Sequence, residues 1–337
     1  MVTIADVARA AGVSVATVSR VMNGSASVAE PTVRVVQAAI ERLNYVPNQQ
    51  ARNLRRHESR NILVLLPNIT NPYYANVFSG LNQKAQELGY NLLLCNTDGR
   101  DPEQMLKEAV DSQRSDGAIV LQIGYNDEWL KKYAKQIPIV QCCEYSGHGS
   151  IPHVTVDNYR AAREATEYLI RLGHTAIGTI SAANNSISTL LRMQGFRDAL
   201  SQASLELPEG YIRYTSFDYS YSASLSAARS ILSLPDRPTA LFCIGDSIAL
   251  AAVVAAQELG LKVPQDVSIV GFDDVIYTKM FHPYLTTVVQ PCAELGAQSV
   301  EMLHQLITQG KLRKADVILP HGFIIRESTG APAQICI

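Results

Sequence analysis

The chain has 337 residues, 47% of them hydrophobic, which is more than one domain needs and enough for sizeable buried cores. Charged residues make up 18% with a formal net charge of −2, and six cysteines (Cys95, Cys142, Cys143, Cys243, Cys292, Cys336) form no C-x-x-C pair, so reduced thiols are expected and a disulfide scaffold or zinc module is excluded. The opening Thr3-Ile4-Ala5-Asp6-Val7 is unlike a secretion signal, and no apolar run reaches the roughly 20 residues of a membrane span, so a soluble cytoplasmic protein is expected.

The charge is unevenly placed. Residues 1–60 carry eight arginines (Arg9, Arg20, Arg34, Arg42, Arg52, Arg55, Arg56, Arg60) against Asp6, Glu30, Glu41 and Glu58, a net +4 that leaves −6 for the remainder. Only the head is suited to meet phosphate. Thr3 and Asp6 can form a capping box for a first helix whose apolar face is Ile4, Val7, Ala8 and Ala11. Gly12 ends it, and Ser14 caps a second helix from Val15 to Met22. A third, Glu30 to Asn44, has the stripe Val33, Val36, Ala39, Ile40 and Leu43. Two short helices about a tight Gly-containing turn make a helix-turn-helix. The second helix keeps a face of Val15, Ala16, Thr17 and Arg20 that the core does not need. Small apolar side chains there can meet thymine methyls, and arginine can reach guanine or a phosphate. The alternative, a three-helix oligomerisation or peptide-binding module, does not account for the charge.

The run TIADVARAAGVSVATVSRVMN, Thr3 to Asn23, closely resembles the head of the lactose/galactose repressor family, and YVPNQQARNL, Tyr45 to Leu54, resembles that family's hinge. The resemblance implies DNA contacts from Thr3, Ser14, Val15, Ala16, Thr17, Ser19, Arg20 and Asn23. It also implies a short hinge helix over 48–55 that places Asn48, Ala51, Leu54 and Arg55 at the minor groove, with Leu54 as a wedge between base pairs. The other reading of this segment is an ordinary linker.

Beyond the basic linker, short apolar runs alternate with helical periodicity. Ile62–Leu66 reads as a buried strand and Pro72–Leu88 as a helix. Strand Asn91–Cys95, helix Pro102–Gln113, strand Gly117–Leu121, helix Asp127–Lys135 and strand Ile139–Cys142 follow. A second set starts near Val154-Thr155-Val156-Asp157: helix Tyr159–Leu172, strand Ala176–Ile180, helix Leu190–Gln202, strand Tyr211–Tyr214, helix Ser222–Leu232, strand Ala240–Cys243, helix Ser247–Leu259 and strand Val267–Phe272. Such alternation predicts two doubly wound parallel sheets with a ligand cleft between them. RLGHTAIG (171–178), LRMQGFR (191–197), VPQDVSIVGFDD (263–274) and PYLTTV (283–288) resemble the same family. They imply a periplasmic-binding-protein-like body in which the chain crosses back near Pro291, so that Ala293–Gln309 and Val317–Leu319 complete the first half. The expected organisation is an α/β chain with a helix-turn-helix head at 1–46, hinge and linker at 47–60, and effector-binding and dimerisation domain at 61–330. Its halves are about 61–157 with 292–325, and about 158–291; a tail spans 331–337.

Strand-end loops aimed at the cleft carry Tyr73, Tyr74, Glu144, Tyr145, Ser186, Ser188, Arg192, Tyr219, Tyr221, Asp246, Asp273 and Asp274. Tyr73, Tyr74 and Tyr219 can sandwich a flat ring or sugar face. Arg192 and Asp273 are the polar anchors, and the resemblance implies that they grip hydroxyl or ring groups of an effector. Two positions stay open: Asp246 meets the ligand or caps the helix at Ser247, and Tyr221 meets it or packs. Position 143 is Cys where many sugar-binding members have Asp or Asn, and Cys143-Glu144-Tyr145 with Asp218-Tyr219-Ser220-Tyr221 resembles the cytidine repressor branch. A nucleoside is therefore the leading effector, with a sugar as the alternative. No G-x-S-x-G, P-loop or G-x-G-x-x-G motif occurs, no histidine pair has metal spacing, and His148 and His153 read as a solvated turn. Neither an enzyme, a cofactor protein nor a secreted solute receptor is expected. The expected function is a transcription regulator, in the manner of a repressor, whose affinity for pseudo-palindromic operator DNA is set by the effector. One helix-turn-helix reads only a half-site, and the tail from Gly330 lacks a leucine heptad, so a homodimer is expected.

Overall fold

The computed structural model describes residues 2–22, 27–45, 58–97, 99–121, 128–146, 151–217 and 219–333. The chain divides into two compact units, 1–59 and 60–337. In the first, helices α1 (Ile4–Ala11), α2 (Val15–Met22) and α3 (Glu30–Arg42) close a core of Val7, Ala8, Ala11, Val18, Val36 and Ala39. The capping box forms as predicted: Thr3 Oγ1 accepts from Asp6 N at 3.3 Å and Asp6 Oδ2 accepts from Thr3 N at 3.0 Å. Those bonds hold the Asp6 carboxyl below its ordinary pKa. Gly12 closes α1 at φ 64, a left-handed turn that costs glycine nothing. The third helix stops two residues short of the expected Asn44, which itself turns left-handed at φ 47.

The second unit contains two six-stranded sheets. The strands of the first are β1 (Asn61–Leu66), β2 (Asn91–Asn96), β3 (Gly117–Val120), β4 (Ile139–Cys142), β5 (His153–Val156) and β11 (Asp316–Leu319), all parallel in the order β11-β5-β4-β3-β1-β2. The helices threaded among them are α4 (Pro72–Glu87), α5 (Pro102–Asp111), α6 (Glu128–Ala134) and, from the far end of the chain, α11 (Cys292–Gln309). Packing of α11 on α4 is close enough that a Cβ at Gly80 would lie 1.9 Å from the Ala293 carbonyl oxygen, so glycine is required there.

The other sheet runs β12-β10-β9-β8-β6-β7. Its strands are β6 (Ile177–Ala182), β7 (Ile212–Thr215), β8 (Ala240–Cys243), β9 (Ser268–Asp273), β10 (Thr286–Val289) and β12 (Gly322–Ile324), and only the β10–β12 pair is antiparallel. Helices α7 (Asn158–Arg171), α8 (Ile187–Gln202), α9 (Tyr221–Leu232) and α10 (Asp246–Glu258) flank it. Two corrections follow. Residues 322–324, expected in the first half, pair with β10 in the second sheet, because the chain crosses once more after β11. His153 is not in a solvated turn: it is buried in β5, stacked on Tyr145 with centroids 4.2 Å apart, and its Nδ1 lies 3.1 Å from Asp316 Oδ1. The chain therefore passes between the halves at 157, at 290–291 and at 320–321. Among the described residues no helix is long and apolar enough to cross a membrane.

Candidate functional site

In the head, Ser14 Oγ accepts from Thr17 N at 3.1 Å and lies 2.9 Å from Thr17 Oγ1, so both side chains fix the start of α2. Val18 turns fully inward, while Val15, Ala16 and Arg20 are exposed and Thr17 and Ser19 half-buried. The first turn of α2 thus presents a small, mostly apolar surface with an arginine one turn on. Thr3, beside it in sequence reasoning, spends its polar atoms on capping α1. Asn23, Asn48, Ala51, Leu54 and Arg55 lie outside the described residues.

In the body, the strand ends of the two sheets enclose a cavity of about 30 Å³ lined by both halves. Seven predicted residues reach it: Tyr73, Tyr74, Glu144, Ser188, Arg192, Tyr219 and Asp273. Tyr73 and Tyr74 come from the first turn of α4, which Asn71 caps by accepting from Tyr73 N at 3.0 Å, and their rings meet edge to face at 5.2 Å. Tyr219, in a left-handed turn at φ 60, brings its hydroxyl within 3.3 Å of Thr189 Oγ1.

Arg192 is only 7% exposed. Its guanidinium lies 3.6 Å over the Phe272 ring, with Nε donating to Asn158 Oδ1 at 2.8 Å and Nη1 to the Ile244 carbonyl at 2.6 Å. Opposite, Asp273 accepts from Gln290 Nε2 at 2.7 Å; burial raises its pKa to about 6 against the pull of Arg192 and Gln290. Glu144 is also raised by burial, opposed by bonds from Ser188 and by the Arg192 charge. Burial keeps the Tyr73 and Tyr74 phenols and the Cys143 thiol neutral. The result is an aromatic-walled space in which one fixed cation, two carboxylates and hydroxyl groups offer both donors and acceptors.

Ser186 caps α8, accepting from Thr189 N at 3.3 Å. Asp246 takes neither role left open for it, since Gly245 is the N-cap of α10 and Asp246 is 0% exposed and outside the cavity lining. Tyr145 is spent on His153. Asp274 is turned away to pair with Arg326, and Tyr221 is exposed at the start of α9. Sequence reasoning missed Asn158 and Gln290, the partners of Arg192 and Asp273. Both stand where the chain passes between the halves, and Gln290, at a strand end just before Pro291, carried a signal that could have found it.

The description "Bacterial regulatory proteins, lacI family" matches residues 3–48, and "Periplasmic binding proteins and sugar binding domain of LacI family" matches residues 59–327. The chain belongs to the LacI family. Catabolite control protein A of Priestia megaterium is 35% identical over 331 residues, covering 97% of this chain and 99% of that protein. The ribose operon repressor of Escherichia coli K12 is 35% identical over 319 residues, covering 93% and 96%. The lac repressor dimer bound to operator and the anti-inducer ONPF superposes with a TM-score of 0.87 at 30% identity, covering 98% of this chain and 99% of the other. As a LacI-family protein the chain is a DNA-binding transcription regulator with an effector-binding body, and not an enzyme.

Proposed function

We propose that this chain is a repressor that binds pseudo-palindromic operator DNA as a homodimer, and that a nucleoside or similar small sugar-bearing molecule binds between the halves and resets its operator affinity. The observation that carries this reading is the convergence of Tyr73, Tyr74 and Tyr219 with Arg192 and Asp273 at the strand ends of two sheets. The nucleoside is preferred over a free sugar because three aromatic rings suit a base, and because of the resemblance of 143–145 and 218–221 to the cytidine repressor branch. The hinge reading of residues 47–60, with Asn48, Ala51, Leu54 and Arg55 at the minor groove, belongs to the same proposal. Fluorescence anisotropy on an operator selected from a random pool, repeated with nucleosides and sugars, tests it. A tenfold affinity shift, about 1.4 kcal/mol of coupling, is expected for one nucleoside. A response to sugars alone removes the nucleoside, and failure to select any specific site removes the repressor.

Base readout is assigned to the first turn of α2. Replacing Val15→Tyr and Ala16→Gln together is expected to redirect the half-site recovered by pool selection. Recovery of the same half-site would take base readout away from these two residues.

The dimer face is assigned to a broad recess of about 1120 Å³ on the body, whose apolar wall includes Leu250, Val253, Tyr277, Met280 and Phe281. Phe281 is 65% exposed and Met280 56%, beside Ile276 and Tyr277. Contiguous exposure on this scale marks an interaction surface, and a two-fold operator calls for a second copy. Phe281→Glu is expected to sediment as a monomer at concentrations where the parent is dimeric; an unchanged dimer would place the interface elsewhere.

A further inference from the structure

Within the cavity the first half reaches across to the second. Cys143 follows β4 in a left-handed conformation, φ 70, and its backbone is pinned to β5: its N–H donates to the Val154 carbonyl at 2.8 Å, and its own carbonyl accepts from Thr155 Oγ1 at 3.1 Å. The next residue, Glu144, is thereby aimed over the gap at the first turn of α8. One carboxylate oxygen accepts from Ser188 N at 3.1 Å and the other from Ser188 Oγ. The acceptor sits at the positive end of a 16-residue helix, with Arg192 one turn further along. The space left beside this contact, about 30 Å³, is room for one or two waters. Small-molecule pockets are typically about 300–1,000 Å³.

We infer that the Glu144–Ser188 contact is a latch that holds the two halves together before an effector binds, and that the effector must take over its hydrogen bonds. The inference rests on the reading of this cavity as the effector site. Ser188 supplies an N–H and a hydroxyl, Glu144 two acceptor oxygens, so the group that replaces the contact must both accept and donate. A vicinal diol does both, whereas an isolated carbonyl or amine satisfies one side and leaves the other buried without a partner. Effector affinity is thus lowered by the fraction of molecules in which the latch is shut.

Cys143 and Cys243 supply the test. Cys143 lines the cavity at 6% exposed, and Cys243 is fully buried in β8 of the second sheet. Alkylation of the full chain with N-ethylmaleimide, followed residue by residue by mass spectrometry, reports opening of the cavity at the first and unfolding at the second. Glu144→Gln removes the charge facing α8 and sets an amide against Ser188. It is expected to speed alkylation of Cys143 at least tenfold while Cys243 stays as slow as in the parent. Ser188→Ala, which leaves the backbone N–H in place, is expected to give a smaller rise in the same direction. An unchanged Cys143 rate in both variants overturns the latch. So does a parallel rise at Cys243, which would make the contact a general stabiliser of the body. Neither DNA nor effector enters this assay, so its outcome is separable from that of the operator titration.

Discussion

Arg326→Ala is expected to destabilise the body by about 3–5 kcal/mol, the range for removing one member of a buried ion pair. Arg326 Nη2 donates to Asp274 Oδ1 at 2.6 Å, and Nη1 donates to Thr278 Oγ1 at 3.0 Å and to the Leu285 carbonyl at 2.8 Å. The two charged side chains are 13% and 14% exposed. Truncation removes the cation from the Asp274 carboxylate, held at φ 56 next to the half-buried Asp273, and leaves it the Thr278 hydroxyl at 3.1 Å. It also frees the turn at Ile276–Lys279, which begins the proposed dimer face, so dimer affinity is expected to fall along with stability. Arg229→Ala is the control. That arginine makes an equally short bond, 2.7 Å to Glu258, but between exposed side chains, where solvent screening leaves little net stabilisation. Urea denaturation of the parent and both variants decides the matter: if Arg326→Ala loses no more than Arg229→Ala, the buried pair does not hold this corner. A cycle with Asp274→Asn isolates the coupling, since the two partners are in contact.

The elements that carry periodicity were readable in the sequence, and those that depend on distant partners were not. The capping box at Thr3, the strands of continuous Ile, Leu and Val, and the amphipathic helices all formed close to their expected bounds because their signals are local. Strand β10 went unpredicted because Thr286 and Thr287 interrupt its apolar run; both hydroxyls are satisfied by side chains far along the chain, Thr329 and Asp246. Residues 322–324 fell within the bounds expected for the first half, and β12 itself went unpredicted, because two residues, Pro320 and His321, suffice for a crossing that no local pattern marks. His153 looked solvated amid Gly and Pro, yet the Tyr145 ring and the Asp316 carboxylate cover it. The site was legible as a set of chemistries at strand ends, and seven of its residues do converge. What sequence could not show is that Arg192, Asp273 and Glu144 are already engaged with one another's neighbours. For Arg192 and Asp273 that follows from the passages of the chain at 157 and 290–291, which bring Asn158 and Gln290 beside them.

Asp246 gives the second large effect, one that appears as a pH dependence of stability. Its carboxyl is enclosed on every side. A Cβ on Gly271 would lie 2.2 Å from Oδ1, Oδ2 accepts from Val275 N at 2.9 Å, and Oδ1 lies 2.6 Å from Thr287 Oγ1. Burial, reinforced by the charges of Asp273 and Asp274, pushes its pKa up to about 8. The bonds donated by Thr287 Oγ1 and Val275 N favour the ionised form and pull the other way, and burial outweighs them. A carboxyl with a higher pKa in the folded chain than in the unfolded one binds its proton more tightly when folded. Its contribution to stability is therefore full below about pH 4 and declines as the pH rises towards 8. Asp273, raised to about 6, adds to the same slope in the lower part of that window. Asp246→Asn reproduces the neutral acid, with an amide N–H for Thr287 and a carbonyl for Val275. The variant is expected to fold, and to gain on the parent in urea midpoint at each step from pH 5 to pH 8. Parallel midpoints across that range would mean that Asp246 is ionised in the folded protein, held by Thr287 and Val275 strongly enough to offset its burial.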